Sequence, residues 1–504
     1  MYNNDRESVV NKTLFISALS AALSTAFISH GAFAAVPQQN DVWFKNGQRA
    51  IEQAKALKPI DTKAKNVIIF IGDGMSVGTM TASRIYAGQK LGNTGEEYQL
   101  SMDTMPHVAM SKTYNTDMQT PDSAGTASAI VTGVKTKAGI ISVDDNVRRG
   151  FCSTVKGNEA KTLFEMAAEK GKALGVVSTA RLTHATPAVA YAHSADRDWE
   201  SDAAMTNIAK NQGCKDIADQ FVNFDFGDGF QVAFGGGRRE FMPVDMKDPE
   251  NADKTGKRKD GRNLITEWET RYPNGEYIYD RKGFDAIDPA KTERVFGLFG
   301  NSHMEYEIDR QKDNNEPSLA EMTSKAIDML SKNKDGYVMM VEAGRIDHAH
   351  HAGNAARAFE DTVAYDDAIK LALEKTSSED TLIIVTADHA HTMIMNGYAE
   401  RGNPILGLSK TKGKYSEDEF GKKYTTISYG NGPGAVKEGR ADVTQQEATS
   451  VDYLQQSLIR LGSETHSGED VTIFARGPKA WLFQGTVEQN YIFHVMNEAL
   501  ELTK

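Results

Sequence analysis

The sequence contains no internal repeat and no low-complexity tract, and these absences exclude fibrous and collagen-like proteins. Of its 504 residues, 40% are hydrophobic and 25% are charged, a composition that also excludes a largely disordered chain. A chain of this length can bury a large core, either in one α/β domain or in a few smaller domains. The composition therefore predicts an ordinary globular protein.

Basic residues are too few to balance the acidic ones. The chain has 57 Lys and Arg against 69 Asp and Glu, which gives a formal net charge of −12. The resulting field repels phosphate backbones and anionic membranes, so nucleic-acid binding by bulk charge is not expected. An anionic substrate would have to be captured locally, by bound metal ions or by a well-placed arginine.

Long apolar runs are also absent, and the longest candidate lies near the N-terminus. It extends over 15 residues, from Leu14 to Ile28, whereas a membrane-spanning helix needs roughly 20. The segment ends in Ala32-Phe33-Ala34, a small-x-small cleavage pattern. We therefore interpret residues 1–34 as a cleaved signal peptide, with a membrane anchor as the alternative. An exported protein, periplasmic or secreted, with no membrane span in its mature chain is expected.

Cysteine is nearly absent, and the sequence contains two cysteines, Cys152 and Cys214. Export to an oxidising compartment makes an intrachain disulfide the natural use of an isolated pair, and two buried free thiols are the alternative. A disulfide between them would close a loop of about 60 residues and stabilise the fold by roughly 4 kcal/mol in the chain-entropy model.

Four continuous apolar runs predict strands that are buried on both faces of a mostly parallel sheet. They are Asn66 to Ile71, Leu174 to Thr179, Gly336 to Glu342 and Thr381 to Thr386. The amphipathic segments Asn354 to Leu373 and Ser318 to Leu330 predict covering helices. The expected fold class is α/β, with a large, mostly parallel central β-sheet and helices on both faces.

Two stretches interrupt this alternation. Residues 242–275 are charged and turn-rich, and they predict a surface insertion. Residues 395–440 are rich in Gly, Tyr and Lys, and they predict a second insertion or a small cap subdomain. The expected organisation is a signal peptide at 1–34 followed by one domain at 35–504 that carries both insertions.

Acids, hydroxyls and histidines follow the four predicted strands, where open α/β sheets bind their ligands. They are Asp73, Thr186 with His184, Asp347 with His351, and Asp388 with His389. Each feature alone has an ordinary explanation, such as a turn aspartate or a solvated helix start. Because carboxylates and imidazoles are metal ligands, four strands that all end in such groups predict a metal-centred site.

A candidate nucleophile lies in the segment from Pro121 to Ala129. Asp122 can cap the helix that follows, which places Ser123 at the helix N-terminus, where backbone N–H groups favour anions. In isolation this motif is an ordinary N-cap with a passive serine. Its combination with the metal-competent residues makes Ser123 the predicted nucleophile.

These motifs resemble those of the alkaline phosphatases. The resemblance rests on Gly72-Asp73-Gly74-Met75, Asp122-Ser123-Ala124, HATPAVAYAHSADRDW from His184, VEAGRIDHAHH from Val341, VTADHAH from Val385 and ETHSGEDV from Glu464. The motifs occur in the family's order over most of the chain. His184 and His348 make the pattern similar to animal-type and some marine bacterial members, since the common enterobacterial pattern has Asp and Lys there.

The resemblance implies two zinc ions and one magnesium ion per chain. The first zinc would be held by Asp347, His351 and His466, the second by Asp73, Asp388, His389 and Ser123, and the magnesium by Asp73, Thr186 and Glu342. Nitrogen donors suit zinc and hard oxygen donors suit magnesium, so the ligand types agree with this division. A calcium site found in animal members is not predicted, because Phe299-Gly300 stands where they have Phe-Glu.

The resemblance also implies hydrolysis of small phosphate monoesters through a phosphoserine on Ser123, with Arg197 gripping two phosphate oxygens. His184, His348 and Asp122 would support the site from just outside the metal ligands. The resemblance further implies that Cys152 and Cys214 pair and that the protein is a homodimer.

Two other functions compete with this interpretation. A phosphodiesterase or a sulfatase of the same superfamily is the nearer one. Sulfatases need Cys or Ser in a Cys/Ser-x-Pro-x-Arg setting, whereas Ser123 is followed by Ala-Gly-Thr, and diesterases usually have a threonine nucleophile. A secreted metal- or phosphate-binding protein without catalysis is the other alternative, and it would need no nucleophile at a helix start.

Overall fold

The structure is a computed structural model that describes residues 36–503, so the predicted signal peptide at 1–34 lies outside the described residues. The chain divides into two units, with the boundary between Lys58 and Pro59. The described part of the first unit holds one α-helix, which begins after Asp41, whose carboxylate accepts hydrogen bonds from two backbone N–H groups. Among the helices of residues 36–503, none has the length and apolarity that crossing a bilayer requires.

The described chain contains seventeen strands and sixteen α-helices. The strands are β1 (Asn66–Gly72), β2 (His107–Lys112), β3 (Ala173–Arg181), β4 (Phe230–Gly236), β5 (Gly275–Ile278), β6 (Arg294–Leu298), β7 (Tyr337–Ala343), β8 (Thr381–Thr386), β9 (Ala390–His391), β10 (Met393–Met395), β11 (Lys410–Thr411), β12 (Lys414–Tyr415), β13 (Ile427–Gly432), β14 (Ser457–Arg460), β15 (His466–Ser467), β16 (Val471–Arg476) and β17 (Thr486–Glu488). The helices are α1 (Val42–Ala56), α2 (Val77–Lys90), α3 (Ser123–Thr132), α4 (Leu163–Glu169), α5 (Ala185–Ala188), α6 (Asn207–Asn211), α7 (Ile217–Val222), α8 (Arg238–Phe241), α9 (Leu264–Arg271), α10 (Arg281–Ala286), α11 (Glu307–Asp313), α12 (Leu319–Leu330), α13 (Arg345–His351), α14 (Ala355–Lys375), α15 (Gln445–Ala448) and α16 (Tyr491–Leu500).

Ten of the strands form one central sheet with the order β17-β2-β16-β8-β1-β7-β3-β4-β6-β5. Seven of the nine pairings are parallel, and only the two pairings of β16 are antiparallel. The four predicted strands are β8, β1, β7 and β3, which lie side by side in the middle of the sheet. The prediction of a mostly parallel sheet is therefore confirmed.

Successive residues of β1 point into two different hydrophobic cores. Ile69 and Ile71 pack in a cluster with side chains of α3, α4 and α16, whereas Ile68 and Phe70 pack with side chains of α12 and α14. Because strand side chains alternate between faces, helices cover both faces of the sheet. The predicted α/β fold class is confirmed.

The two predicted covering helices are α12 and α14. Ser318 and Glu321 form a capping box at the start of α12, each side chain accepting a backbone N–H. The side chain of Asn354 caps α14, which extends two residues beyond the predicted end at Leu373. Local capping chemistry thus defined both helix starts.

Part of the segment 242–275, for which the sequence predicts a surface insertion, is buried. Leu264 and Trp268 of α9 are buried in the main core, and the fully buried Arg258 pairs with Asp216 at 2.9 Å. The high charge of this segment predicts exposure to solvent. The charge of Arg258 is instead buried, because Asp216 supplies a partner for it.

The segment 395–440 contributes the hairpin β11–β12 and strand β13, which lies between β10 and β14 in a small three-stranded sheet. The predicted insertion at 395–440 thus overlaps this small sheet. The disulfide is also present, because Cys152 and Cys214 are bonded across a separation of 62 residues. The prediction of a disulfide is confirmed.

Candidate active site

The candidate site lies where the four central strands end. Since β8, β1, β7 and β3 are parallel neighbours, their carboxyl ends meet at the same edge of the sheet. Asp73 follows β1, Asp388 follows β8, and Glu342 is the penultimate residue of β7. All three side chains are completely buried. The fold thus brings together residues more than 300 positions apart in the sequence.

Asp347, His351 and His466, the predicted ligands of the first zinc, lie close together in a first cluster. Oδ1 of Asp347 lies 3.3 Å from Nε2 of each histidine, and the two Nε2 atoms lie 3.1 Å apart. Nδ1 of His351 donates to the carbonyl of Glu464 at 2.5 Å, and Nδ1 of His466 donates to that of Pro121 at 2.8 Å. With a proton on Nδ1, each ring turns the lone pair of its Nε2 toward the other ring, an arrangement that a cation between them would satisfy.

Asp73, Asp388 and His389 form the second cluster. Nε2 of His389 lies 3.3 Å from Oδ1 of Asp73 and 3.4 Å from Oδ2 of Asp388. Burial, together with the charges of nearby groups, lowers the pKa of His389 well below its ordinary value. The imidazole is therefore neutral, which is the form that binds metal.

Asp73, Glu342 and Thr186 form the third predicted group, and His184 joins the same cluster of potential ligands. Burial raises the pKa of Glu342 to about 8, and the Ser178 hydroxyl donates a hydrogen bond to this carboxylate. Burial and the charges of Asp388 and Asp347 raise the pKa of Asp73 well above its usual range. Carboxylates crowded in this way need positive charge to ionise.

Several atoms of these clusters have no hydrogen-bond partner among the described residues. They include both carboxylate oxygens of Asp73, Oε1 of Glu342, Oγ1 of Thr186 and Nδ1 of His184. Buried polar atoms normally have a hydrogen-bond partner. Several such atoms without one, on residues that can hold a metal ion together, indicate a site for a cation. The donor set of imidazoles and carboxylates fits zinc, and the oxygen-rich third group fits magnesium.

Glycine at position 74 permits the close approach of a histidine. Its φ of +71° lies in the left-handed region, and a Cβ there would lie 2.4 Å from Cδ2 of His391. Its backbone N–H donates to Oδ1 of Asp388 at 3.0 Å. The glycine beside Asp73 is therefore required by packing against the site.

Ser123 is the first residue of α3, and Asp122 caps that helix by accepting the N–H of Gly125 at 3.1 Å. Oγ of Ser123 lies 3.0 Å from Nε2 of His389, beside the second cluster. A Cβ on Gly125 would come within 2.4 Å of Nδ2 of Asn115, so this part of the helix packs too tightly for a larger residue. The N-terminal N–H groups of α3 favour an anion next to the hydroxyl.

Arg197 is held by Asp122, the residue that caps α3. Its Nη1 donates to Oδ2 of Asp122 at 3.0 Å, and its Nη2 lies 3.2 Å from Nε2 of His184. The arginine lowers the pKa of Asp122, although burial of the carboxyl opposes this effect. An ionised Asp122 orients the planar guanidinium, which matches the geometry of a phosphoryl group.

His348 lies on the side of the site that faces the third group. Its ring centroid is 5.4 Å from that of His184 and 4.0 Å from that of His303. Burial lowers the pKa of His348 to about 3, so the ring is neutral. The structure therefore places the His348 ring next to that of His184.

Sequence reasoning missed three residues of the site. Nε2 of His391 donates to Oδ1 of Asp347 at 2.7 Å, and its Nδ1 donates to Oε2 of Glu464 at 2.6 Å. Burial opposes protonation, but Glu464 and Asp347 raise the pKa of His391 to about 10. The third residue is His303, which contacts Arg181. His389 and His391 are two residues apart, a spacing that puts both side chains on one side of an extended chain. This spacing could have indicated from the sequence that His391 lies near the site.

Comparisons with known proteins identify the family of this chain. A family model described as alkaline phosphatase matches residues 64–502. The tissue-nonspecific isozyme of alkaline phosphatase from Rattus norvegicus is 45% identical over 465 residues, which cover 90% of this chain and 87% of that protein. The alkaline phosphatase of the Antarctic bacterium TAB5 superimposes with a TM-score of 0.60 at 23% identity, covering 88% of this chain and 100% of that one. The Thermus thermophilus alkaline phosphatase superimposes with a TM-score of 0.62 at 23% identity, covering 89% and 94%. The chain belongs to the alkaline phosphatase family.

Proposed function

We propose that the protein hydrolyses diverse phosphate monoesters to inorganic phosphate through a phosphoserine on Ser123. The observation that carries this proposal is the position of the Ser123 hydroxyl, at the start of α3 and 3.0 Å from His389 in a cluster of metal-competent side chains. Family membership supports the same activity. A site that grips only the phosphoryl group would leave the alcohol in solvent, so we expect a broad substrate range.

Metal ions complete the proposed site. Asp347, His351 and His466 would hold one zinc, Asp73, Asp388 and His389 a second, and Asp73, Thr186 and Glu342 a magnesium. When bound, such ions act as Lewis acids that lower the pKa of a coordinated hydroxyl and stabilise charge on the reacting oxygens. The unpartnered buried oxygens of Asp73 and Glu342 support these assignments.

The chain's own residues position the phosphoryl group. Oγ of Ser123 attacks phosphorus, a new P–O bond forms, and the bond from phosphorus to the ester oxygen breaks as the alcohol leaves. The Arg197 guanidinium binds two non-bridging oxygens, held in its orientation by Asp122. Water then attacks the phosphoserine, which releases phosphate and restores the hydroxyl of Ser123.

A homodimer is the proposed assembly, and an exposed apolar surface supports it. Ile394 of β10 is 48% exposed and Leu458 of β14 is 84% exposed, and both line one pocket on the small three-stranded sheet. An apolar patch of this kind marks an interaction site, here for a second copy of the chain. Light scattering that gives twice the mass of the mature chain, and the monomer mass for Leu458→Asp, would support the dimer. A wild-type monomer would contradict it.

Export to the periplasm or the exterior is proposed as the localisation. The disulfide between Cys152 and Cys214 supports an oxidising compartment. Fractionation of the cells that make the protein tests it, since a reduced pair in a cytoplasmic fraction would contradict export.

The activity is tested with a chromogenic phosphate monoester at alkaline pH. The mature protein, its chelator-treated form, the same form with zinc and magnesium restored, and Ser123→Ala are compared, with the exposed Ser331→Ala as control. We expect activity to vanish on chelation, to return with the metals, and to fall by about a thousandfold or more in Ser123→Ala. Faster hydrolysis of a diester or a sulfate ester than of the monoester would contradict the proposal.

A further inference from the structure

Three lysines meet at the edge of the sheet opposite the active site. Lys65 directly precedes β1, Lys172 directly precedes β3, and Lys334 lies three residues before β7. Since β1, β7 and β3 are parallel neighbours, their amino ends lie together. The seven residues of β1 separate this edge from the active site by about 20 Å, at roughly 3.3 Å per residue.

A pocket of about 620 Å³ opens at this edge. Its lysines are Lys63, Lys65, Lys170, Lys172 and Lys334, and its acidic residues are Asp335 and Glu501. Five ammonium groups around one concavity are unexpected in a chain with a net charge of −12. Lys63 pairs with Glu501 at 3.5 Å, but the five lysines outnumber the two acidic residues. A concave surface with an excess of one sign of charge concentrates ions of the opposite sign.

Lys172 is the buried member of this group, with 9% of its surface exposed. Its Nζ donates to the backbone carbonyls of Lys65 at 2.9 Å and Asp335 at 2.6 Å. Both acceptors are neutral, so these hydrogen bonds orient the amine without balancing its charge. Burial and the neighbouring Lys63 lower the pKa of Lys172 to about 8, although Asp335 raises it.

We propose that this lysine pocket binds a small, multiply charged oxyanion of the phosphate type, at a site separate from the catalytic centre. Lysine binds phosphate as a point charge, and several lysines at one concavity bind a multivalent anion without the fixed fork that arginine provides. The proposal goes beyond the proposed hydrolytic function and does not depend on it.

Proton uptake is the expected signature of the bound anion. An anion next to Lys172 favours the charged amine and therefore raises its pKa above the value of about 8. Binding at a pH above 8 then takes up protons, and binding well below 8 does not. Calorimetric titration in two buffers of different ionisation enthalpy measures this uptake.

Lysine labelling tests the site directly, with methylenediphosphonate as the probe because its P–C–P link resists hydrolysis. The holoenzyme is treated with an amine-reactive reagent with and without the probe, at chloride-matched ionic strength, and the modified lysines are quantified by mass spectrometry. We expect the probe to slow labelling of the exposed lysines Lys63, Lys65, Lys170 and Lys334. The exposed Lys291 is the internal control.

The double variant Lys65→Gln/Lys334→Gln separates the pocket from the active site. Both lysines are exposed, so the fold should be retained, and inhibition of monoester hydrolysis by the probe should match the wild type. Protection of Lys63 and Lys170 should require about tenfold more probe, because two favourable charges are lost. Equal labelling with and without the probe in the wild type would overturn the proposal, as would unchanged protection in the double variant.

Discussion

Oγ of Ser123 lies 3.0 Å from Nε2 of His389, although the two residues are 266 positions apart in the chain. The serine begins α3, and the histidine follows β8 by three residues. Their contact joins the anion-favouring start of a helix to the carboxyl edge of the central sheet. The proposed chemistry depends on this junction.

Replacing Arg197 with lysine should weaken phosphate binding. Lysine keeps the positive charge but loses the planar fork that Asp122 orients at 3.0 Å. We expect inorganic phosphate to inhibit Arg197→Lys about tenfold less tightly than it inhibits the wild type. Inhibition constants against a monoester measure this, with the exposed Arg148→Lys as control. An unchanged constant would show that Arg197 does not grip the phosphoryl group.

Replacing His391 or Glu464 should weaken metal retention. His391 bridges Asp347 and Glu464 through two hydrogen bonds, so it fixes a carboxylate of the first cluster. Residues that orient metal ligands in this way typically contribute 10- to 100-fold in affinity, and we expect a loss of about that size in His391→Gln and Glu464→Gln.

Zinc content after dialysis against graded chelator measures the retention. The exposed His494→Gln, on helix α16, serves as the control. If His391→Gln keeps zinc as well as the control does, His391 has no part in orienting Asp347.

Loss of the disulfide should destabilise the fold. The bond between Cys152 and Cys214 constrains a 62-residue separation in the unfolded chain, and its removal is expected to lower the free energy of unfolding by about 4 kcal/mol. Denaturant unfolding of Cys152→Ala/Cys214→Ala measures the loss. Equal midpoints for the variant and the wild type would refute the prediction.

Asp361 should make stability depend on pH. Burial and the nearby Glu307 raise its pKa from 3.8 to about 8, so the folded protein holds a proton that the unfolded chain releases. Stability therefore falls as the pH rises from about 4 to about 8, and the full penalty persists above 8.

Asp361→Asn removes this titration while keeping the shape of the side chain. We expect the variant to melt at a higher temperature than the wild type above pH 8, and at a similar temperature near pH 4. Thermal unfolding at both values measures the difference, with the exposed Asp313→Asn as control. A variant that is less stable than the wild type at the higher pH would contradict the account.

The central fold was predictable from sequence because its strands are continuous apolar runs. β1 and β8 begin at the predicted residues, Asn66 and Thr381, since both faces of these strands are buried. The strands of the small sheet were not predicted, because segments such as β10 are short and half-exposed. The buried Arg258 was also not predicted, because only the folded chain supplies its partner Asp216.

The candidate site was predictable where a motif places a side chain next to a strand end. Asp73, Asp388 and His389 come directly after apolar runs, so their convergence follows from a parallel sheet. Glu464 does not follow an apolar run, and its contact with His391 arises from the pairing of β15 with β9. Long-range pairing of two-residue strands leaves no pattern in the sequence.

The phosphoserine itself is the most direct test of the proposed mechanism. The holoenzyme is mixed with a phosphate monoester, quenched in acid during turnover and digested, and the peptide that contains Ser123 is analysed by mass spectrometry. The account predicts a phosphoryl group on Ser123, and none in protein that was denatured before mixing. A phosphoryl group on another residue such as Thr126, or turnover without any phosphorylated peptide, would contradict it.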